Sequence, residues 1–139
     1  MAKLTVSPLV FKDIFLSIGT GTPDDFARHV SEAIFEPKSE TITWQGAAPD
    51  AGFSDQGAPT WTLKISFAQD WTTANSLVKY LMANIGKQVP CTLKPNASAT
   101  TPVVVTATVI CSPPPIGGTV NKVMEGSVTL GVVGSPAVA

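Results

Sequence analysis

The stretch Thr60-Trp61-Thr62-Leu63-Lys64-Ile65-Ser66-Phe67 constrains the fold more than any other part of the chain. Trp61, Leu63, Ile65 and Phe67 fall on one side of an extended backbone and Thr60, Thr62, Lys64 and Ser66 on the other, the period-two signature of a half-buried strand. Those four apolar residues are the expected core face of a sheet. No candidate catalytic group lies beside them.

Around this strand the sequence predicts a mainly β chain with one helix. After Gln69-Asp70-Trp71, the residues Ala74, Leu77, Val78, Leu81 and Ile85 recur three and four apart. That spacing predicts a helix over 73–85, capped by Thr72 or Thr73, stopped by Gly86 and packed on the sheet through Leu77 and Leu81. Further strands are predicted at 9–18, 40–44, 88–94, 103–112 and 123–133, with Pro95 to Ala99 and Pro113 to Gly118 as turn or loop separators. Residues 25–35 read both ways: Thr22, Pro23, Asp24 and Asp25 resemble a helix start and tip the local signals slightly towards helix, yet Phe26, Arg28, Val30, Glu32 and Ile34 alternate with their neighbours as in a strand. Residues 45–59 have no period and many turn residues, which predicts a long mobile loop. Ordering backbone costs about 1 to 2 kcal/mol per residue, so a loop of this length is expected to bind something or order late, with Phe53 as its anchor. The end, 134–139, is expected to be flexible or an exposed arm.

A chain of 139 residues fits one domain with a genuine core. Only 14% of residues are charged and the formal net charge is -1, which argues against tight binding of nucleic acid. Low charge with 12 Pro, 11 Gly and many Thr and Val describes a β-rich protein whose surface is covered by something, a hint of self-assembly. No stretch reaches the roughly 18 uninterrupted apolar residues of a membrane span, and the start has no apolar signal region, so synthesis and residence in a cytoplasm are expected. Cys91 and Cys111 fall in step with apolar neighbours and are expected as buried free thiols. The single His29 is remote in sequence and there is no Cys-x-x-Cys pair, so neither a metal site nor a cofactor is expected.

Other candidates have bland readings. Gly19-Thr20-Gly21 lacks the Gly-Lys-Ser/Thr ending of a phosphate loop and reads as a turn. His29 has no recognised nucleophile setting and reads as a sheet-surface side chain. Asp24, Asp25, Glu32, Glu36 and Glu40 read first as a solvated acidic face; the sharper alternative is a negative channel lining, with Glu32, Glu36 and Glu40 as its candidates, that repels a polyanion. Trp44 and Trp71, at strand ends, are expected to pack on a helix or neighbouring subunit or to contact a ligand.

The series Trp44-Gln45-Gly46, Pro59 to Phe67 leading into Gln69-Asp70-Trp71, Ser76 to Asn84 with Gly86-Lys87-Gln88-Val89-Pro90, and Pro113-Pro114-Pro115-Ile116-Gly117-Gly118 resembles the major tail tube proteins of long-tailed, non-contractile bacteriophages, particularly those of actinobacterial hosts. The resemblance spans most of the chain and contains no catalytic motif. It implies a β-sandwich or barrel with one flanking helix, strand rather than helix at 25–35, and six-membered rings sharing an inner barrel and stacked into a hollow tube through which DNA passes without being held. It implies a virion tail location after assembly in the host cytoplasm, with the tape measure, terminator and tip proteins as partners. The loop at 45–59 becomes an arm whose Pro49, Asp50, Phe53, Asp55 and Gln56 contact an adjacent subunit or ring. Members of that family often carry a C-terminal immunoglobulin-type decoration domain; none is expected after Ala139, nor is adhesion through one. The alternatives are a tail terminator that forms a single ring, a monomeric β-sandwich with tryptophans as a ligand platform, and a small hydrolase or deaminase that would need His29 near Cys91 or Cys111.

Overall fold

The computed structural model describes residues 2–19 and 25–139. Along these residues run strands β1 (Phe15–Ile18), β2 (Val30–Lys38), β3 (Thr41–Gln45), β4 (Gly52–Gln56) and β5 (Thr60–Ala68), helix α1 (Leu77–Ala83), and strands β6 (Gln88–Lys94), β7 (Val105–Ile110) and β8 (Glu125–Val138). Six strands form one antiparallel sheet in the order β1-β6-β7-β8-β5-β2, and β3 and β4 form a separate pair. The large sheet curls into a half-barrel, giving the expected mainly β architecture with one helix.

Strand β5 behaves as its alternation dictates. Leu63, Ile65 and Phe67 are at most 1% exposed, and each such side chain contributes about 1.5 to 3 kcal/mol by leaving water. Its neighbours extend the same face: Phe35 and Ala33 of β2 stand opposite Leu63 and Ile65, and Leu130 and Val128 of β8 stand opposite them from the other side. Leu77, Val78 and Leu81 of α1 join this core, so the helix lies on the apolar face of the sheet. Trp61, expected in the core, is only half-buried, because it sits at the strand's open end opposite Pro37.

The two readings of residues 25–35 resolve as strand, displaced towards the C-terminus: β2 starts at Val30 and runs through Lys38. Asp25, which resembles a helix cap in sequence, instead makes an isolated bridge with Ser17, and its Oδ1 accepts hydrogen bonds from the amides of Leu16 and Ala27 at 3.3 and 2.9 Å. A bulge between Val30 and Glu32 then sets the register so that Ala33, not Glu32, faces the core. Apart from Gly19, the turn cluster Gly19 to Asp24 lies outside the described residues.

The helix is shorter than the 73–85 predicted. Asp70 Oδ1 accepts from the amides of Thr72 and Thr73 and from the Thr72 hydroxyl, all at 3.0 Å, which commits both threonines to a turn. The side chain and amide of Thr73, followed by the amide of Thr72, hold the Asp70 carboxyl well below the usual carboxylate range. Asn75 then takes φ 60°, outside the helical region, so Ser76 rather than Thr72 or Thr73 is the N-cap. Gly86, at φ 81°, ends the segment as predicted, and Ile85 is exposed rather than packed.

Three other expectations are corrected. Strand β1 begins only at Phe15, not at Leu9, because Asp13 at φ 49° breaks the extended run. The mobile loop at 45–59 contains strand β4, which pairs with β3 from Thr41↔Gln56 to Gln45↔Gly52. The flexible end at 134–139 is strand to Val138: Gly134, at φ 75°, turns β8 so that Ala137 and Val138 pair with Thr106 and Val105, and the amides and carbonyls of Val104 and Ala139 exchange hydrogen bonds of 3.1 and 2.8 Å. Cys91 and Cys111 are buried free thiols, as expected.

Candidate assembly site

Strands β3 and β4 pair only with each other, and all ten of their residues are exposed. Cross-strand partners share a face, so Trp44↔Phe53 and Ile42↔Asp55 put Ile42, Trp44, Phe53 and Asp55 on one side of the ribbon. Thr41↔Gln56 and Thr43↔Ser54 make the other side polar. Ile42, Trp44 and Phe53 are 55%, 64% and 57% exposed, an apolar face that nothing among the described residues covers.

The ribbon is nevertheless well formed. At the tip, the Gly46 amide donates to the Ala51 carbonyl at 2.8 Å and Gln45 Nε2 donates to the Ala48 carbonyl at 3.1 Å. A Cβ on Gly46 would stand 2.7 Å from that of Ala51 and 2.9 Å from the Trp44 ring, so only glycine lets the indole lie across the turn. At the base, the Gly57 amide donates to the Glu40 carbonyl at 2.7 Å and Gln56 Nε2 to the Ser39 hydroxyl at 2.8 Å. Isolated two-stranded hairpins are at best marginally stable in water, so this ribbon gains most from whatever covers it.

The structure therefore gathers Pro49, Asp50, Phe53, Asp55 and Gln56 onto one projecting arm, with Pro49 and Asp50 at its turn. Trp44 and Ile42 belong to the same surface although they are absent from the sequence-derived contact set. Their alternation over 40–44 was the available signal, but their opposition to Phe53 appears only once β4 is a strand.

A second surface is the face of the six-stranded sheet turned away from α1. Along β2, Glu32, Ile34 and Glu36 stand opposite Ser66, Lys64 and Thr62, and these in turn stand opposite Ser127, Thr129 and Gly131 of β8. The face is polar: Thr62, Ser66, Ser127 and Thr129 bear hydroxyls, and its charges are of mixed sign, Glu32 and Glu36 against Lys64. Of the three glutamates singled out by sequence, Glu32 and Glu36 share this face, while Glu40 lies between β2 and β3 at the base of the arm. Among the described residues strand β2 is an edge of the sheet, with one side not joined to another strand.

Residues suspected of chemistry have structural partners. His29 Nδ1 accepts from the Leu77 amide at 3.4 Å, at the start of α1. Trp71 Nε1 donates to Gln69 Oε1 at 3.2 Å, while Gln69 Nε2 donates to the carbonyls of Gly117 and Glu125, both at 2.9 Å. Gln69 thereby clasps the Pro113 to Gly118 loop, and Trp71 is engaged within the chain. Burial, and secondarily the neighbouring Cys111, push the Cys91 thiol up to about 12, far from a nucleophile's range. Among the described residues no group of three or more His, Cys, Asp or Glu could hold a metal, and no helix is long and apolar enough to cross a membrane.

No protein-family model and no curated protein matches the chain. Solved structures share its fold. A chain from the tail of an empty gene transfer agent (GTA) particle, determined with helical refinement and C6 symmetry, superposes with a TM-score of 0.65 at 10% identity, over 92% of this chain and 96% of that one. A chain from the virion of the native GTA particle gives a TM-score of 0.61 at 9% identity, over 89% and 95%. A chain from the six-fold symmetrised baseplate of the anti-feeding prophage gives 0.57 at 10% identity, over 100% and 97%. The chain thus has a fold found in the tails and baseplates of phage-like particles.

Proposed function

We propose that this protein is a structural, non-enzymatic tail subunit of the long-tailed, non-contractile type, which forms six-membered rings stacked into a hollow tube that DNA traverses during ejection. The observation that carries the reading is the β3–β4 arm, a formed hairpin whose apolar face of Ile42, Trp44 and Phe53 has no partner among the described residues of its own chain. Monomeric proteins rarely leave such a ribbon bare, and a docking neighbour offsets the cost. The fold shared with six-fold tail and baseplate chains supports a second copy as that neighbour.

In this reading edge strand β2 joins an adjacent subunit, which removes its unpaired backbone from solvent. The hydroxyl-rich face carrying Glu32 and Glu36 lines the lumen, with α1 on the far side of the sheet. Hydroxyls, with Lys64 outnumbered by Glu32 and Glu36, offer a polyanion no dense cationic field, so DNA slides without being gripped. The turn of the arm, with Pro49 and Asp50, reaches the next ring. Tape measure, terminator and tip proteins complete the tail, and the particle assembles in the host cytoplasm.

Electron microscopy of concentrated pure protein tests the proposal: rings and tubes are expected, and a chain lacking residues 41–56 should stay folded but unassembled. Tubes built normally without the arm would refute its role. The similarity to a baseplate chain favours one second reading, a tail part such as a terminator that closes a single ring; it predicts rings that never lengthen into filaments.

A further inference from the structure

The structure points to the occupant of the arm's apolar face: residues 2–11 of the neighbouring copy in the same ring. This inference rests on the self-assembly reading above and names the partner segment of that site.

Residues 2–11 are all exposed and belong to no strand or helix, yet they carry Leu4, Val6, Leu9, Val10 and Phe11, with Leu4 90% and Val6 79% exposed. The run Lys3-Leu4-Thr5-Val6-Ser7 alternates in strand fashion. One chain therefore holds two bare apolar surfaces, this segment and the β3–β4 face, and neither covers the other within a copy.

Position and charge match them across copies. The registers Phe15↔Lys94, Leu93↔Val105, Val105↔Val138, Thr62↔Gly131 and Lys38↔Thr60 put the start of β1 and the end of β2 at the same end of the sheet. Residues 2–11 leave from edge strand β1 and the arm leaves from edge strand β2, at opposite edges. In a head-to-tail ring every subunit points the same way, so the β1 edge of one copy meets the β2 edge of the next and the two projections leave from the same end of the ring. Residues 2–12 carry Lys3 and Lys12 and no acid, whereas residues 41–58 carry Asp50 and Asp55 and no base. Asp55 shares the face of Ile42, Trp44 and Phe53, where it can meet a lysine from the incoming segment. An extended segment laid on a hairpin by backbone pairing, with side chains seated alternately, is a recurring recognition mode.

The test mixes two full-length variants that each carry one added cysteine under mild oxidation, Val6→Cys on one chain and Phe53→Cys on a tagged second chain; the native thiols are buried. Pairing Val6→Cys with Val120→Cys is the control, because Val120 lies in the β7–β8 loop at the other end of the sheet. At least tenfold more covalent heterodimer is expected for the first mixture. Lys3→Glu with Lys12→Glu should lower that yield severalfold, and Asp50→Lys with Asp55→Lys on the partner should restore it. Equal yields from both mixtures would overturn the inference. If rings and tubes form while Val6 and Phe53 do not link, this contact fails and the tube stands; if the link forms but no ring is seen, the contact stands and the tube fails; if neither is found, both fall.

Discussion

Strands β5 and β3 obey the same alternation and meet opposite fates. Leu63, Ile65 and Phe67 are sealed between sheet and helix, whereas Ile42, Trp44 and Phe53 project from a ribbon with one layer and no cover. Alternation decides which side chains share a face; it says nothing about what lies above that face. The difference separates folding from assembly, since the first set is buried by the chain itself and the second awaits another molecule.

Substitutions at the two sets should break this symmetry in opposite ways. Leu63→Ala, which empties part of a fully buried site, is expected to cost about 2 to 5 kcal/mol in chemical denaturation, and a loss below 1 kcal/mol would show that the core is not where the structure puts it. Leu81→Ser should be comparably damaging while Ile85→Ser, four residues on but exposed, should stay within about 0.5 kcal/mol of the parent; equal effects would restore the longer helix that the sequence suggests. Gly86→Ala forces a side chain onto φ 81° and should cost about 1 kcal/mol by the same measurement. Trp44→Ser with Phe53→Ser should change monomer stability least, by about 0.5 kcal/mol or less, yet abolish assembly in sedimentation. A monomer unfolded by that pair would mean that the ribbon's apolar face serves folding after all.

The thiols sharpen the same contrast through pH. Burial holds Cys91 protonated to about 12 in the folded chain, while in the unfolded chain it releases its proton near 8.5. Between those values the native state binds more protons than the unfolded one, so stability is fully present below about pH 8.5 and declines as pH rises towards the folded value. Denaturation midpoints from pH 7 to 11 check this, and a flat profile would place Cys91 in contact with water. Neither thiol should react with a colorimetric disulfide reagent at pH 8 until the chain unfolds.

Much of the fold was legible where one segment's pattern sufficed. Strand β6 matches its predicted bounds at 88–94, β5 is longer by one residue, and the apolar face of α1 contains the expected Leu77, Val78 and Leu81. The failures share a cause, which is that the deciding partner lies elsewhere in the chain. Gly52 to Gln56 has no strand signal of its own and becomes β4 because β3 pairs with it, and residues 134–138 become strand because β7 supplies a ladder. The helix starts later than its apolar stripe implies because Asp70 claims Thr72 and Thr73. At the candidate site Phe53 was visible as a lone aromatic among turn residues, whereas Trp44 and Ile42 became part of the same surface only through register.

By itself the sequence determined the elements whose information is local: the period of β5, the stripe of α1, the stop at Gly86 and the scarcity of charge. Tertiary structure alone decided which strands are edges, which face of each pair is covered, and that residues 2–11 and the arm leave the same end of the sheet from opposite sides. The physical reason is range. Periodicity and propensity act over one or two turns of chain, whereas hydrogen-bond ladders join residues tens of positions apart, and burial depends on what they bring together.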